Sequence, residues 1–489
     1  MNLYLGALLF YSIFLMGLGL FISSRVKNSS DFLVAGRSLG PWRLFATFLA
    51  ANIGAGSTVG ATGLGYRFGL SAWWWVGSAS IGTLILSQFL GPKLWTMAKA
   101  HGLATLQDFL EFRYGKVVKA TISILFWCGA LAILAGQLIA ISWILNTVAA
   151  IPKWEGCVIG GLVAIVYCTA GGLMASSFVN MFELAVTMSG LLLAVPFAIH
   201  AVGGWAHMHD VVLAQNVLAQ KTGAAATQNM FSIVGVGPKQ VLAWIAILVP
   251  SFMISPGLVQ KVYGARDVRT VRLGVGLNSL GQAIFAFVPP ILGLCAFAAL
   301  PHLANSELAL PAAMKLLLPK WLGVWTLASI FSAELSATDA ILFMLSTSLA
   351  VDLYKTFLKP AISQRELLAI SRITSVGAGI LGILLAAILP SIIAAVSIFY
   401  GLIAVSLFVP VMAGLYSRRV LSSAAMASIL CAIAATVLTM RLTNSQGVGV
   451  FSPQAIGIAT AAIVMLGFRI FHPGRAQNNL AFAGGTDTK

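Results

Sequence analysis

Ala50-Ala51-Asn52-Ile53-Gly54-Ala55-Gly56-Ser57-Thr58-Val59-Gly60-Ala61-Thr62-Gly63-Leu64-Gly65 lies inside an apolar segment, residues 42–66, that is long enough to cross a bilayer yet holds five of its glycines here. Glycine costs ~1 kcal/mol relative to alanine in a helix interior, so this helix is predicted to break partway. Backbone freed at membrane depth is tolerated only where protein or a water-filled cavity covers it. In secondary transporters such unwound carbonyls and half-helix ends hold the coupling ion and the substrate. The same residues also fit an unbroken glycine-rich helix packed closely on its neighbours, so the rest of the chain must decide.

Hydrophobic residues make up 59% of the 489 and charged residues 9%. This predicts an all-α polytopic membrane protein with no sizeable soluble domain. Thirteen spans are read at 3–22, 42–66, 71–97, 118–147, 153–172, 176–203, 239–263, 270–300, 321–353, 366–389, 391–416, 420–440 and 453–472. The apolar run after Met1-Asn2 has no basic start and no small-residue cleavage pattern, and reads as a retained first span. With the N-terminus outside and the C-terminus in the cytoplasm, the inner segments hold 22 Lys and Arg and the outer ones 7. That bias follows the positive-inside rule and fits a plasma (inner) membrane protein. The net charge of +16 then reflects topology and anionic lipid, with no nucleic-acid partner. Five cysteines without CxxC spacing read as apolar core residues.

The seventh span carries Pro250-Ser251-Phe252-Met253-Ile254-Ser255-Pro256-Gly257 at its centre. Proline removes a helix hydrogen bond and clashes with the preceding turn, which predicts a second mid-membrane break. Two interrupted helices five spans apart fit a five-plus-five inverted repeat with the site at the interface of its halves. The chain divides accordingly: 1–40, first helix and cytoplasmic loop; 41–203, first five-helix repeat; 204–238, extracellular loop; 239–416, second repeat; 417–472, two peripheral helices; 473–489, tail. Substrate-binding candidates are Asn52, Gly54, Gly56, Ser57 and Thr58 at the first break, Ser251, Phe252 and Ser255 at the second, and Trp74. The Trp73-Trp74-Trp75 cluster reads either as an interfacial belt or as a lid. His207, His209 and Asp210 on the long external segment do not amount to a metal site.

Three acidic residues are placed inside spans, Glu183, Glu334 and Asp339, and a carboxylate there marks a functional site by default. Asn180 and Glu183 share one face. Ala333, Ser336 and Ala337 form one stripe, while Glu334 is about 200° from Ser336 and faces elsewhere. Oxygen-rich groups opposite a broken helix suit a hard cation, and no His or Cys joins them to favour a transition metal.

These residues resemble the sodium:solute symporter family, whose members include bacterial proline, pantothenate and sialic acid transporters and animal glucose and choline transporters. The resemblance rests on Asp31 to Gly40, the Ala50-Ala51-Asn52-Ile53 break, Gly171-Gly172-Leu173, Gln260-Lys261, and Ser346-Thr347-Ser348 to Asp352-Leu353-Tyr354-Lys355. It implies the leucine-transporter type of inverted repeat and alternating access. It also implies a sodium site from main-chain oxygens of Ala50 and Ile53 with Ala333, Ser336 and position 337, where this chain has alanine in place of the family's second hydroxyl. A second cation site in some members uses an aspartate where Asn180 stands, and Glu183 or Asp339 would serve a second cation or a proton here. Sugar-transporting members have polar groups matching Ser57 and Val76, and valine marks sugar down.

The sequence therefore predicts a sodium-coupled symporter importing an amino acid, a carboxylate or an amine-like solute, with Na+ as coupling ion, no organic cofactor and no enzymatic activity. Lys and Arg are read as absent from membrane depth. A proton-coupled symporter of the same fold and a ligand-sensing membrane domain are the alternatives, and the oligomeric state is not readable.

Overall fold

The computed structural model describes residues 3–23, 37–168, 172–221, 227, 229–417 and 421–471. The chain opens with α1 (Leu3–Ser23), α2 (Pro41–Asn52), α3 (Val59–Phe68), α4 (Trp73–Ile85), α5 (Gly91–His101) and α6 (Leu106–Tyr114). It continues with α7 (Lys116–Ala149), α8 (Lys153–Cys168), α9 (Gly172–Ala201), α10 (Gly204–Lys221), α11 (Pro238–Ile254) and α12 (Pro256–Tyr263). Then come α13 (Val268–Phe285), α14 (Val288–Ala299), α15 (Ala309–Leu317), α16 (Lys320–Thr347), α17 (Gln364–Ile388), α18 (Ile392–Tyr416), α19 (Ser422–Leu442) and α20 (Pro453–Phe471). Among the described residues, nine helical stretches are long and apolar enough to cross a membrane.

Helices prevail because lipid offers no partner for free amides. The sequence places caps where the chain enters a helix: Thr105 and Asp108 form a capping box at the start of α6, and Ser391 caps the start of α18. The core gathers α2, α3, α7, α9, α11 and α16, with α16 packed on α9, α7 and α2. α16 is buried over nearly its whole length, including Ser329, Ser332, Glu334, Ser336, Thr338 and Asp339. α19 and α20 pack mainly on each other and on α18, at the edge.

One expectation is corrected. The segment 204–238, read as a loop, contains the 18-residue helix α10. Met208, Val212 and Asn216 recur every four residues and are all buried, which gives that stretch a helical stripe to lay against α14.

Candidate functional site

The first helix does break. α2 stops at Asn52, Ile53 turns extended (φ −100°, ψ 96°), and α3 resumes at Val59. Side chains take over the lost backbone pairing. The Gly54 amide donates to Ser57 Oγ (3.0 Å) and the Ala55 amide to Gln137 Oε1 of α7 (2.8 Å). The Ser57 and Thr58 amides both donate to the Gly54 carbonyl (2.9 and 3.0 Å), and the Trp75 indole donates to the Gly56 carbonyl (2.8 Å). Buried amides thus stay satisfied, while the helical donors for Ala50 and Ile53, the amides of Gly54 and Ser57, are diverted elsewhere. Only glycine fits at 54: a Cβ there would lie 2.5 Å from the Ala337 Cβ.

The second break falls at Ser255 (φ −55°, ψ 122°), between α11 and α12. Pro250 remains inside α11, and Pro256 starts α12, where its missing amide costs nothing. The Ser251 hydroxyl donates to the Tyr400 carbonyl of α18 (2.6 Å). Gly257 lets α12 approach α16, since a Cβ would strike the Met344 sulfur.

The lower half-helices α2 and α12 are fastened to each other. Leu39 donates to the Gly264 carbonyl (3.1 Å), Arg266 donates back to the Leu39 carbonyl (3.1 Å), and Lys261 Nζ donates to the Thr47 carbonyl (2.9 Å). Arg37 donates to the carbonyls of Tyr263 (3.2 Å), Ala98 (3.2 Å) and Leu103 (2.8 Å).

Between the breaks lies a cavity of about 70 Å³. Of the substrate candidates, Asn52, Gly54, Gly56, Ser57, Phe252 and Ser255 line it. Three do not: Thr58 turns to Glu334, Ser251 to Tyr400, and Trp74 stacks edge-on against Trp73 while Trp75 faces the cavity. Sequence reading missed Gln137, Lys261, Gln282, Phe399 and Tyr400, which also line it. Lys261 is a cation buried within the protein. Positive-inside counting assigned it to the following loop, whereas it is 5% exposed, in α12. Asn52 donates to Asn278 Oδ1 (3.3 Å) and, more loosely, to Gln282 Oε1 (3.5 Å), a polar floor on α13.

A second, narrow cleft is lined by Ala50, Ile53, Ala333 and Ser336 together with Glu183, Leu184 and Thr187 of α9. Ala337 lies outside it, facing Gly54, and the Asn180 side chain lies outside the described residues. The lining of the cleft carries the Ser336 and Thr187 hydroxyls and the Glu183 carboxylate beside the backbone of the break, a donor set that suits a hard cation. Thr187, one turn beyond Glu183, was the readable signal overlooked. Asp339 is buried and its charge bears on Lys261.

Two interrupted helices, a narrow cleft at the first break whose lining residues carry hydroxyl and carboxylate groups, and a cavity between the breaks are the arrangement of a secondary transporter. A model of the sodium:solute symporter family matches residues 32–432. The chain belongs to that family, and it is a sodium-coupled symporter of small solutes rather than an enzyme. It is similar to the sodium/glucose cotransporter of Vibrio parahaemolyticus, 23% identical over 453 residues, 86% of this chain and 82% of that one. It is also similar to the sodium/pantothenate symporter of Escherichia coli (strain K12), 26% identical over 425 residues, 83% and 85% of the two. A Na+-coupled sialic acid symporter solved in a substrate-bound outward-open state shares the fold, with TM-score 0.79 and 17% identity over 97% of this chain and 98% of that one.

Proposed function

We propose that the chain carries a small organic carboxylate together with sodium by alternating access across the plasma (inner) membrane. The observation that carries this reading is Lys261: a buried amino group lining the cavity, which donates to the Thr47 carbonyl and feels the charge of Asp339. Half-helix N-termini beside it favour the same charge on the solute. Trp75, Phe252, Phe399 and Tyr400 offer apolar walls for the solute body, and Gln137 and Gln282 offer polar contacts. Sodium sits in the cleft on Ala50, Ile53, Ala333 and Ser336, joined by Thr187 and Glu183 rather than Ala337.

The architecture proposed is thirteen spans with the N-terminus outside, counting α2 with α3 and α11 with α12 as single broken spans. Two five-span halves, 41–203 and 239–416, each begin with the broken one. A thermal-shift screen of carboxylates, amines, amino acids and sugars, with and without sodium, tests the reading. A ligand at 100 times its Kd stabilises by ~2.7 kcal/mol, so carboxylates should raise the Tm, and more so with sodium. Stabilisation by sugars or amines alone would end the carboxylate assignment.

A further inference from the structure

A separate pocket of about 10 Å³ lies on the α12 side of the solute cavity, bounded by α6, α12 and the end of α16, where the helix runs on into a π-helical stretch, Ser348–Leu358. Gly257 and Met344 line both spaces. A volume of that size admits one occupant about as large as a water molecule, which excludes the solute. Asp352 lines the pocket and is 1% exposed. Thr105 donates its hydroxyl to Oδ1 (2.7 Å), while Oδ2 is buried and, among the described residues, has no hydrogen-bond partner. Two more groups on the lining, Thr347 Oγ1 and Gln107 Nε2, are buried in the same state, and Ser348 Oγ stands near the Asp352 carboxyl outside hydrogen-bond geometry. Buried polar atoms are normally paired, so this ring of unpaired ones around a water-sized space points to an occupant. Charge says which kind. The ammonium that bears on Asp352 is that of Lys119, which is already bonded to Asp108 and Glu111 (2.8 Å each), so three carboxylates lean on one positive group. A buried carboxylate without a partner of its own is strongly disfavoured, and a cation in the pocket removes that cost.

We propose that this pocket is a cation site separate from the cleft at the first break, taking one hard monovalent ion of sodium's size on Asp352 Oδ2, Thr347 Oγ1 and Ser348 Oγ. A half-turn of the Gln107 amide would present its oxygen in place of its nitrogen. A set of oxygens with a single free carboxylate oxygen suits a singly charged ion. Calcium takes about six to eight oxygens, and magnesium keeps several waters for which this pocket has no room. The ion would tie together three pieces of chain: Thr347, Ser348 and Asp352 at the end of α16, Thr105 at the start of α6, and Gly257 at the start of α12. Because the site exists only while those ends meet, sodium on that side favours the arrangement seen here over any in which they part.

Two readouts on the full chain in lipid nanodiscs test this, and neither needs the solute. Equilibrium binding of radioactive sodium should resolve a site that Asp352→Asn weakens ~10-fold or more and that Ser336→Ala leaves intact. Thr347→Val, which keeps the side chain's shape and removes its hydroxyl, should weaken the same site, which keeps the test open should the asparagine variant fail to fold. Hydrogen exchange read by mass spectrometry places the ion. In Ser336→Ala, sodium substituted for an equal concentration of N-methylglucamine should slow exchange at 104–109 and 345–352, and adding Asp352→Asn should abolish the slowing. Sodium binding that neither Asp352→Asn nor Thr347→Val alters, or exchange at both segments that ignores sodium, would mean that the pocket holds water alone and would overturn the proposal. Neither result touches the sodium cleft at Ser336 or stabilisation by carboxylates, so the two readings fail separately.

Discussion

Gly54→Ala tests the first break directly. The added methyl would stand 2.5 Å from the Ala337 Cβ and 2.8 Å from Gln137 Oε1, where carbons in contact need ~3.5–4 Å. Either α2 and α16 move apart by about 1 Å, an overpacking cost of ~1–3 kcal/mol, or Gln137 withdraws. Withdrawal strands the Ala55 amide it now accepts from, at ~1–3 kcal/mol. Some of both gives ~2–4 kcal/mol, and about 4–8 °C in Tm if each kcal/mol shifts a large chain by ~2 °C. Thermal unfolding in detergent of Gly54→Ala, Ala337→Gly and the double variant measures it. Ala337→Gly alone should cost ~1–2 kcal/mol through the lost methyl and helix propensity. The double variant should recover at least ~1 kcal/mol relative to the sum. Additive losses, or a Gly54→Ala protein as stable as the parent, would refute the contact.

Three further outcomes follow from the same geometry. Ser336→Ala should raise the sodium concentration needed for half-maximal stabilisation ~10-fold or more, since a bond to a charged partner contributes ~1.5–3 kcal/mol; an unchanged sodium dependence removes Ser336 from the cleft's ligands. Lys261→Met should weaken carboxylate binding by a similar factor while sodium alone still stabilises, and equal loss for neutral solutes would refute its role. Glu307, between α14 and α15, accepts from the Ile392 amide (2.6 Å) and the Trp143 indole (3.1 Å), and burial pushes its carboxyl above the usual value near 4.5 despite those bonds. A raised folded value means the linked stability is full below the unfolded value and is lost as pH rises through the folded one. The Tm advantage of the parent over Glu307→Gln should therefore be largest in acid and shrink toward neutral pH; a flat difference refutes it.

The two breaks were legible because glycine and proline act locally, through propensity and a missing amide. The second break fell at Ser255 rather than across the whole proline stretch, since a proline inside a helix is tolerated when neighbouring chain absorbs it. Trp74 and Trp75 were confused because one residue is 100° of helix, and no pattern in an all-apolar span fixes its phase. Gln137 had a signal, an amide in the middle of a 34-residue apolar helix. The Thr58–Glu334 contact had none: the two are 276 residues apart, and only the bundle brings them together. The burial of Lys261 was not legible because counting charges finds segments, not packing.

The backbone stitch between Leu39 and the Gly264–Arg266 turn, reinforced by Lys261 on Thr47 and Arg37 on Tyr263, has a mechanical corollary. It rivets the leading rod of one interrupted span to the trailing rod of the other, so neither can swing by itself. Discharge on that side requires either the joined pair to pivot as a single lever about Ile53 and Ser255, or every rivet to shear together, and a turnstile built this way resists leaking halfway.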